Sequence, residues 1–307
     1  MREYKAKDIK TCLQSRRALY IGDSTMRQIF WATAKKLDRG AAEKAMSHAE
    51  KQAGHSFVSR DVNLEFIWDP FLNSTKLHDE LVAFRNGTEV GDGGTSKGTD
   101  AAALLLVGAG LWHARHVEAN SLKAFKDAID NILPFMRPNL SGIGAGEQSL
   151  GRRHGIGDLV LLAPVQVPLY ESLSPSRAAS ILPEKIQGMN EYLRQLSSFH
   201  GVDVVWSFSR MTQREKLAYE ESGLHVVENV ASRKADVLLN VRCNAEASAS
   251  GVYPFDRTCC SNYRRLGWVQ WLVLILGLGL LSLLALNASR GGHILVMSEL
   301  AGVLIAA

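Results

Sequence analysis

Ala18-Leu19-Tyr20-Ile21-Gly22-Asp23-Ser24-Thr25-Met26-Arg27-Gln28-Ile29-Phe30-Trp31 decides the fold. Ala18 to Ile21 is a short apolar run that predicts a buried strand. Thr25 to Leu37 predicts a helix, with apolar residues at Met26, Ile29, Phe30, Ala32 and Ala34 along one face. Gly22, Asp23 and Ser24 form the turn between them. A serine in such a turn exposes its hydroxyl beside the free amides and the positive dipole end of the helix, where developing negative charge is stabilised. Gly-Asp-Ser also serves as a plain turn and helix cap. Ser24 therefore stands as either a nucleophile or a cap, and the stretch is not the GxSxG elbow of another hydrolase class.

Working outward, Leu64 to Trp68, Ala102 to Val107, Leu159 to Ala163 and Val202 to Trp206 read as further strands. Ser121 to Phe135, Pro183 to Phe199 and Glu228 to Val241 read as helices. Asn86 to Asp100 and Pro138 to Gly157 are rich in glycine and polar residues and read as loops. Short apolar strands alternating with helices predict an α/β domain with a parallel sheet flanked by helices. Ligands in such sheets bind at the carboxyl ends of the strands. Ser24 follows the first strand, and Val107-Gly108-Ala109-Gly110-Leu111-Trp112 follows the third. Gly108 and Gly110 let backbone amides approach a ligand, as an oxyanion hole requires, or simply make a tight turn. With Trp112 they are the candidate oxyanion and substrate residues.

Ser222-Gly223-Leu224-His225 precedes the last predicted helix and offers His225 as a general base. His113, His116 and His154 also sit in predicted loops and compete for that role. The position three before such a histidine usually holds the aspartate that orients the ring; here it is Ser222. Glu221, and after it Glu220, are the carboxylates within reach, with Glu221 the first choice.

The chain has 307 residues, 35 Lys+Arg against 31 Asp+Glu and 46% hydrophobic content, which suits one folded domain of about 250 residues. A net charge of +4 is too mild to imply nucleic acid. No CxxC pair, phosphate-binding loop or metal-ligand spacing is present in the sequence, so no metal is expected. Trp268 to Asn287 is 20 residues without charge, with Trp268 and Trp271 near one end, and reads as a membrane-spanning helix. His293 to Ala307 is a second apolar run of 15 residues that contains Glu299. The division expected is residues 1–245 as the catalytic domain, 246–266 as a cysteine-bearing linker, 267–288 as the span and 289–307 as a second apolar segment. The first 17 residues lack an apolar core, so no cleavable signal peptide is expected.

Cys12, Cys243, Cys259 and Cys260 leave the pairing open: local bridges or a bridge back to Cys12. Adjacent cysteines seldom pair, because that ring is strained, so separate partners are expected for Cys259 and Cys260. Sequons occur at Asn73, Asn86, Asn139 and Asn287, the last too near the predicted span for use. Cysteines and sequons favour a secretory lumen. Arg264 and Arg265 before the span, against Arg290 after it, point the other way under the positive-inside rule.

The ordered motifs resemble one family. IGDSTMRQIFW at 21–31 is similar to the first block of SGNH-type (PC-esterase-like) domains. Leu64 to Pro70, VGAGLWHAR at 107–115, Pro168-Leu169-Tyr170-Glu171 with Lys185-Ile186, SGLH at 222–225, LNVRCN at 239–244 and the Cys259-Cys260 pair follow in order. Together they resemble the amino-terminal domain of the polysaccharide and sialic acid O-acetyltransferases, the family of the fungal capsule O-acetylation protein and the animal sialate O-acetyltransferase. The resemblance runs over about residues 3 to 290. It implies an SGNH-hydrolase-like fold, Ser24 as nucleophile, His225 as base, and acetyl transfer to glycan hydroxyls in the Golgi lumen. It also implies no bound cofactor, an acetyl donor derived from acetyl-CoA, and a multi-span membrane partner that handles that donor. Two departures stand out: Ser222 occupies the place of the family's aspartate, and one predicted span with a short apolar segment stands where the family has many. Losing the orienting carboxylate costs about 10⁴ in rate in a serine triad. An acetyl esterase using water as acceptor, and a non-catalytic glycan-binding relative, are the alternative readings.

Overall fold

The computed structural model describes residues 3–13, 16–89, 102–117, 119–136, 159–200, 202–212 and 215–249. In chain order the elements are α1 (Ala6–Leu13), β1 (Ala18–Gly22), α2 (Ser24–Leu37), α3 (Arg39–Ser47), β2 (His55–Ser59), β3 (Val62–Trp68), α4 (Thr75–Glu89) and β4 (Leu104–Gly108). They continue as α5 (Leu111–His116), α6 (Ser121–Met136), β5 (Leu159–Leu162), α7 (Pro175–Ser180), α8 (Pro183–His200), α9 (Ser207–Arg210) and α10 (Glu228–Ala249).

The sheet order is β2-β3-β1-β4-β5. β3, β1, β4 and β5 run parallel, and β2 pairs antiparallel with β3. β1 and β4 are buried at every position, which is why they read as unbroken apolar runs. Side chains alternate across the sheet. Tyr20, Leu104 and Leu106 join Leu13 of α1, Ile29 and Phe30 of α2 and Leu238 of α10 on one face. Leu19, Ile21, Leu105 and Val107 join Leu77 of α4, Phe125 of α6 and Met189 of α8 on the other. The result is the α/β architecture expected, a mostly parallel sheet covered by helices on both sides.

Several features differ from the sequence reading. β2 was not expected: only Phe57 of its five residues is buried, and the two-residue turn to β3 uses Arg60 and Asp61 at φ 53° and 62° without a glycine. The predicted strand over 202–206 is reduced to one bridge, Leu162 with Val204, because the chain turns at Trp206 into α9. The predicted loop from Asn86 begins inside α4, which continues to Glu89; the rest of it and the predicted loop over 138–157 lie outside the described residues.

Helix α10 runs past the expected Val241 to Ala249, and so carries Cys243 on a helix. Cys243 is bonded to Cys12 of α1, with 5.2 Å between their Cα atoms. Of the pairings the sequence left open, this one joins two helices on the same face of the sheet. No helix among the described residues is long and apolar enough to cross a membrane. The predicted span over 268–287, the segment over 289–307 and Cys259-Cys260 lie outside the described residues.

Candidate active site

The site begins where β1 ends. Gly22 has φ +144°, and a Cβ there would stand 1.7 Å from the carbonyl oxygen of Gly108. Glycine is required twice over, by the backbone angle and by the close approach of the ends of β1 and β4. Asp23, 1% exposed, caps α2: its carboxylate accepts from the Thr25 amide at 2.9 Å and from Thr25 Oγ1 at 2.6 Å. Burial pushes the Asp23 carboxyl up, while the Thr25 hydrogen bonds and the Arg27 charge pull it back. The capping role thus falls to Asp23, and Ser24, half-buried in the first turn of α2, has its hydroxyl left for another partner.

That partner is His225, whose Nε2 lies 2.8 Å from Ser24 Oγ. His225 is presented by a short hairpin-like loop. Val227 N donates to Ala218 O at 3.0 Å, Glu220 N donates to His225 O at 2.9 Å, and Tyr219 bridges Val226 in antiparallel register. Gly223 makes the bend at φ +66°. Burial lowers the His225 imidazole below its ordinary value, and the guanidinium groups of Arg27 and Arg177 lower it further. The ring is therefore held neutral, the state in which Nε2 can accept a proton.

The carboxylate facing His225 is Glu220, not Glu221. Glu220 Oε2 lies 3.8 Å from Nδ1, beyond hydrogen-bond distance. Glu221 is exposed. Ser222 turns into its own loop, where Oγ accepts from the Leu224 amide at 3.4 Å. Glu220 was the second choice in the sequence; the paired register of the loop is what brings it opposite the histidine.

Gly108 and Gly110 lie where the sequence placed them, at the end of β4 and the start of α5. A Cβ on Gly108 would stand 2.8 Å from Ala163 Cβ and from Met26 Sδ; one on Gly110, at φ +132°, would stand 2.6 Å from Val165 Cγ1. The Asp23 amide points to Gly108 O at 3.4 Å, so the turns after β1 and β4 abut beside Ser24. Trp112 follows on α5. Its ring meets Trp68 edge-on at 5.4 Å, Phe71 at 6.0 Å and His116 at 4.5 Å. The Arg27 guanidinium carbon lies 5.8 Å from the Trp68 ring centre.

The other expected residues fall elsewhere. His113 is 2% exposed between Phe71 and Phe125, and burial pulls its pKa down to about 4 despite the nearby Asp69 charge. It is a core histidine, its Nδ1 without a hydrogen-bond partner, not a rival base. His116 is exposed on the Trp112 ring, and His154 lies outside the described residues. Asn73 is exposed at the turn before α4, its amide donating to Asp69 Oδ1 at 3.1 Å. Asn86 falls within α4 with its side chain undescribed, and Asn139 lies outside the described residues. No group of three or more His, Cys, Asp or Glu able to hold a metal occurs among the described residues.

No family model matches the chain. The chain is 24% identical over 294 residues to the N-acetylneuraminate (7)9-O-acetyltransferase of Danio rerio; the alignment covers 94% of this chain and 33% of that protein. The chain thus spans about a third of the length of the curated relative it matches. Among solved structures it is similar to the lipase/acylhydrolase from Enterococcus faecalis, at 10% identity and a TM-score of 0.42, covering 74% of this chain and 95% of that one. The alignment over nearly the whole chain bears out the resemblance: the chain is similar to a sialate O-acetyltransferase along almost all of its own length.

Proposed function

We propose that this domain catalyses acyl transfer and, more narrowly, moves an acetyl group to a glycan hydroxyl. The observation that carries the reading is the 2.8 Å approach of His225 Nε2 to Ser24 Oγ at the start of α2. Ser24 Oγ attacks the acetyl carbonyl as its proton passes to Nε2. The oxyanion rests against the Ser24 amide and the amides of the Gly108–Gly110 turn. Collapse breaks the bond to the donor's leaving group, which takes the proton from Nε2. The acceptor hydroxyl then attacks the acetyl-enzyme, its proton passes to His225, and Ser24 is restored. Glu220 supports the imidazolium that forms at each step.

A glycan acceptor is supported by the Danio rerio relative, an O-acetyltransferase of N-acetylneuraminate, an anionic sugar. The paired Trp68 and Trp112 rings are suited to the apolar face of a sugar, and Arg27 and Arg177 to its charge. The donor in this reading derives from acetyl-CoA and is delivered by a multi-span membrane partner, with residues 268–287 as the anchor and the domain in the Golgi lumen. The Cys12–Cys243 disulfide supports an oxidising compartment. Protection of the sequons from a glycosidase-sensitive shift, with cysteines labelled from the cytosolic side, would place the domain in the cytosol.

The test is glycan O-acetylation in cells carrying Ser24→Ala in place of wild type. Loss of acetyl content is expected; unchanged content removes Ser24 as nucleophile. Acetate released by the purified protein without acceptor, at a rate insensitive to added glycan, would make the enzyme an esterase.

A further inference from the structure

We infer that Gln28 and Gln166 are positioning residues for His225, holding the base by its main chain on both sides in place of an orienting carboxylate at position 222; this rests on the acyl-transfer reading of Ser24 and His225. A serine–histidine pair works only while the imidazole stays within hydrogen-bond reach of the hydroxyl. A carboxylate hydrogen-bonded to Nδ1 usually fixes the ring. Here Glu220 stands off at 3.8 Å with its side chain 50% exposed, and Ser222 Oγ is engaged with Leu224.

The main chain on either side of His225 is tied down instead. Gln28 lies four residues after Ser24 on α2, on the same helix face. Its Oε1 accepts from the Val226 amide at 3.2 Å, and its Nε2 donates to the Val226 carbonyl at 2.9 Å. The primary amide thus pairs with both main-chain groups of one residue, as a neighbouring strand would. The same Nε2 lies 3.4 Å from Glu220 Oε1, on the carboxylate that faces the ring. On the other side Gln166, 7% exposed, donates through Nε2 to the Leu224 carbonyl. Gln166 is itself oriented by Lys234 of α10, 4% exposed, whose Nζ donates to Gln166 Oε1 at 2.7 Å.

Residues 224 and 226 are therefore tethered, one through Gln166 to α10 and one to the helix that carries the nucleophile. With both neighbours fixed, the Cα–Cβ direction of His225 is set relative to Ser24, although 201 positions separate the two. Gln28 is the tighter link, because nucleophile and tether share one rigid helix.

The experiment uses Gln28→Met, which keeps the volume and removes both hydrogen bonds, and Gln166→Glu, which keeps a partner for Lys234 but cannot donate to Leu224. In the full-length protein each is expected to lower kcat by about 10- to 100-fold, the range for groups that orient an active-site ligand, with KM little changed. The acid limb of the pH profile should also move up, as the ring leaves its buried place. A lower melting midpoint with wild-type kcat and acid limb, while Ser24→Ala is inactive, would make the glutamines merely structural and overturn the inference, leaving the acyl-transfer reading intact. Full activity in Ser24→Ala would sink that reading instead; the titration of ¹⁵N-labelled His225 then decides the inference. An upward shift on Gln28→Met sustains it, and an unchanged titration overturns it.

Discussion

Glu220 Oε2 stands 3.8 Å from His225 Nδ1, although Glu220 is an exposed residue like its neighbour Glu221 in the adjoining turn. The gap is longer than a hydrogen bond, but catalytic hydrogen bonds often close only when substrate is present. Glu220→Gln keeps the shape and removes the charge that supports the imidazolium. Turnover of an acetyl ester should fall by about 10- to 100-fold, and Glu221→Gln should behave as wild type. The reverse ranking would return the role to Glu221. A large gain in Ser222→Asp would show that the resident arrangement is impaired.

The pH profile follows from the site's charges. Burial first, then Arg27 and Arg177, hold His225 below the ordinary histidine value of 6.5. The base stays neutral, and kcat/KM stays high, until the pH falls below that value. Arg177→Gln removes one repelling charge from α7, so protonation should begin at a higher pH. An acid limb that stays in place, or moves down, would show that Arg177 does not act on the base.

His113 ties stability to pH. Its folded pKa is pulled down from 6.5 to about 4, mainly by burial, so the native ring is neutral where the unfolded ring takes a proton. The stability at stake is fully present above pH 6.5 and is lost as the pH falls toward 4. That shift corresponds to about 3 kcal/mol. His113→Leu should flatten this acid limb in denaturant titrations at pH 7 and 4.5. Equal losses in both proteins would assign the acid sensitivity to other groups.

Gly22→Ala should be among the most damaging single changes. The added Cβ would stand 1.7 Å from Gly108 O at a backbone φ of +144°, and backbone cannot yield as a flexible side chain does. A loss of about 4 kcal/mol or more in unfolding free energy is expected. A loss below about 1 kcal/mol, the ordinary mutational cost, would mean that the turn relaxes.

The Cys12–Cys243 bond closes a loop with a sequence separation of 231. Loop-closure entropy for that length is worth about 5 kcal/mol. Cys12→Ser with Cys243→Ser, or reductant added to the wild type, should lower the melting midpoint strongly. An unchanged midpoint under reductant would show that the packing of α1 on α10 holds without the bond.

The strand, the turn and the helix around Ser24 were legible because they are local. Ala18 to Ile21 is buried on both faces and so is continuously apolar; Met26, Ile29 and Phe30 repeat at helical spacing; Gly22 marks a backbone angle that other residues avoid. The Gly108–Gly110 turn was legible for the same reason. β2 was not, because its turn at Arg60 and Asp61 lacks the usual glycine and its strand buries a single side chain. Within the site, local sequence named Ser24 and His225 but put Glu221 ahead of Glu220. Tertiary structure brings Glu220 forward: Tyr219 bridges Val226 and Glu220 N donates to His225 O, which sets Glu220 opposite His225, while Glu221 falls in the turn that Gly223 N closes onto Glu220 O. The Cys12–Cys243 pairing and the hold of Gln28 and Gln166 on the two neighbours of His225 also belong to the folded chain alone. Each joins residues far apart in sequence, and no periodicity or turn chemistry encodes which distant partner a side chain will meet.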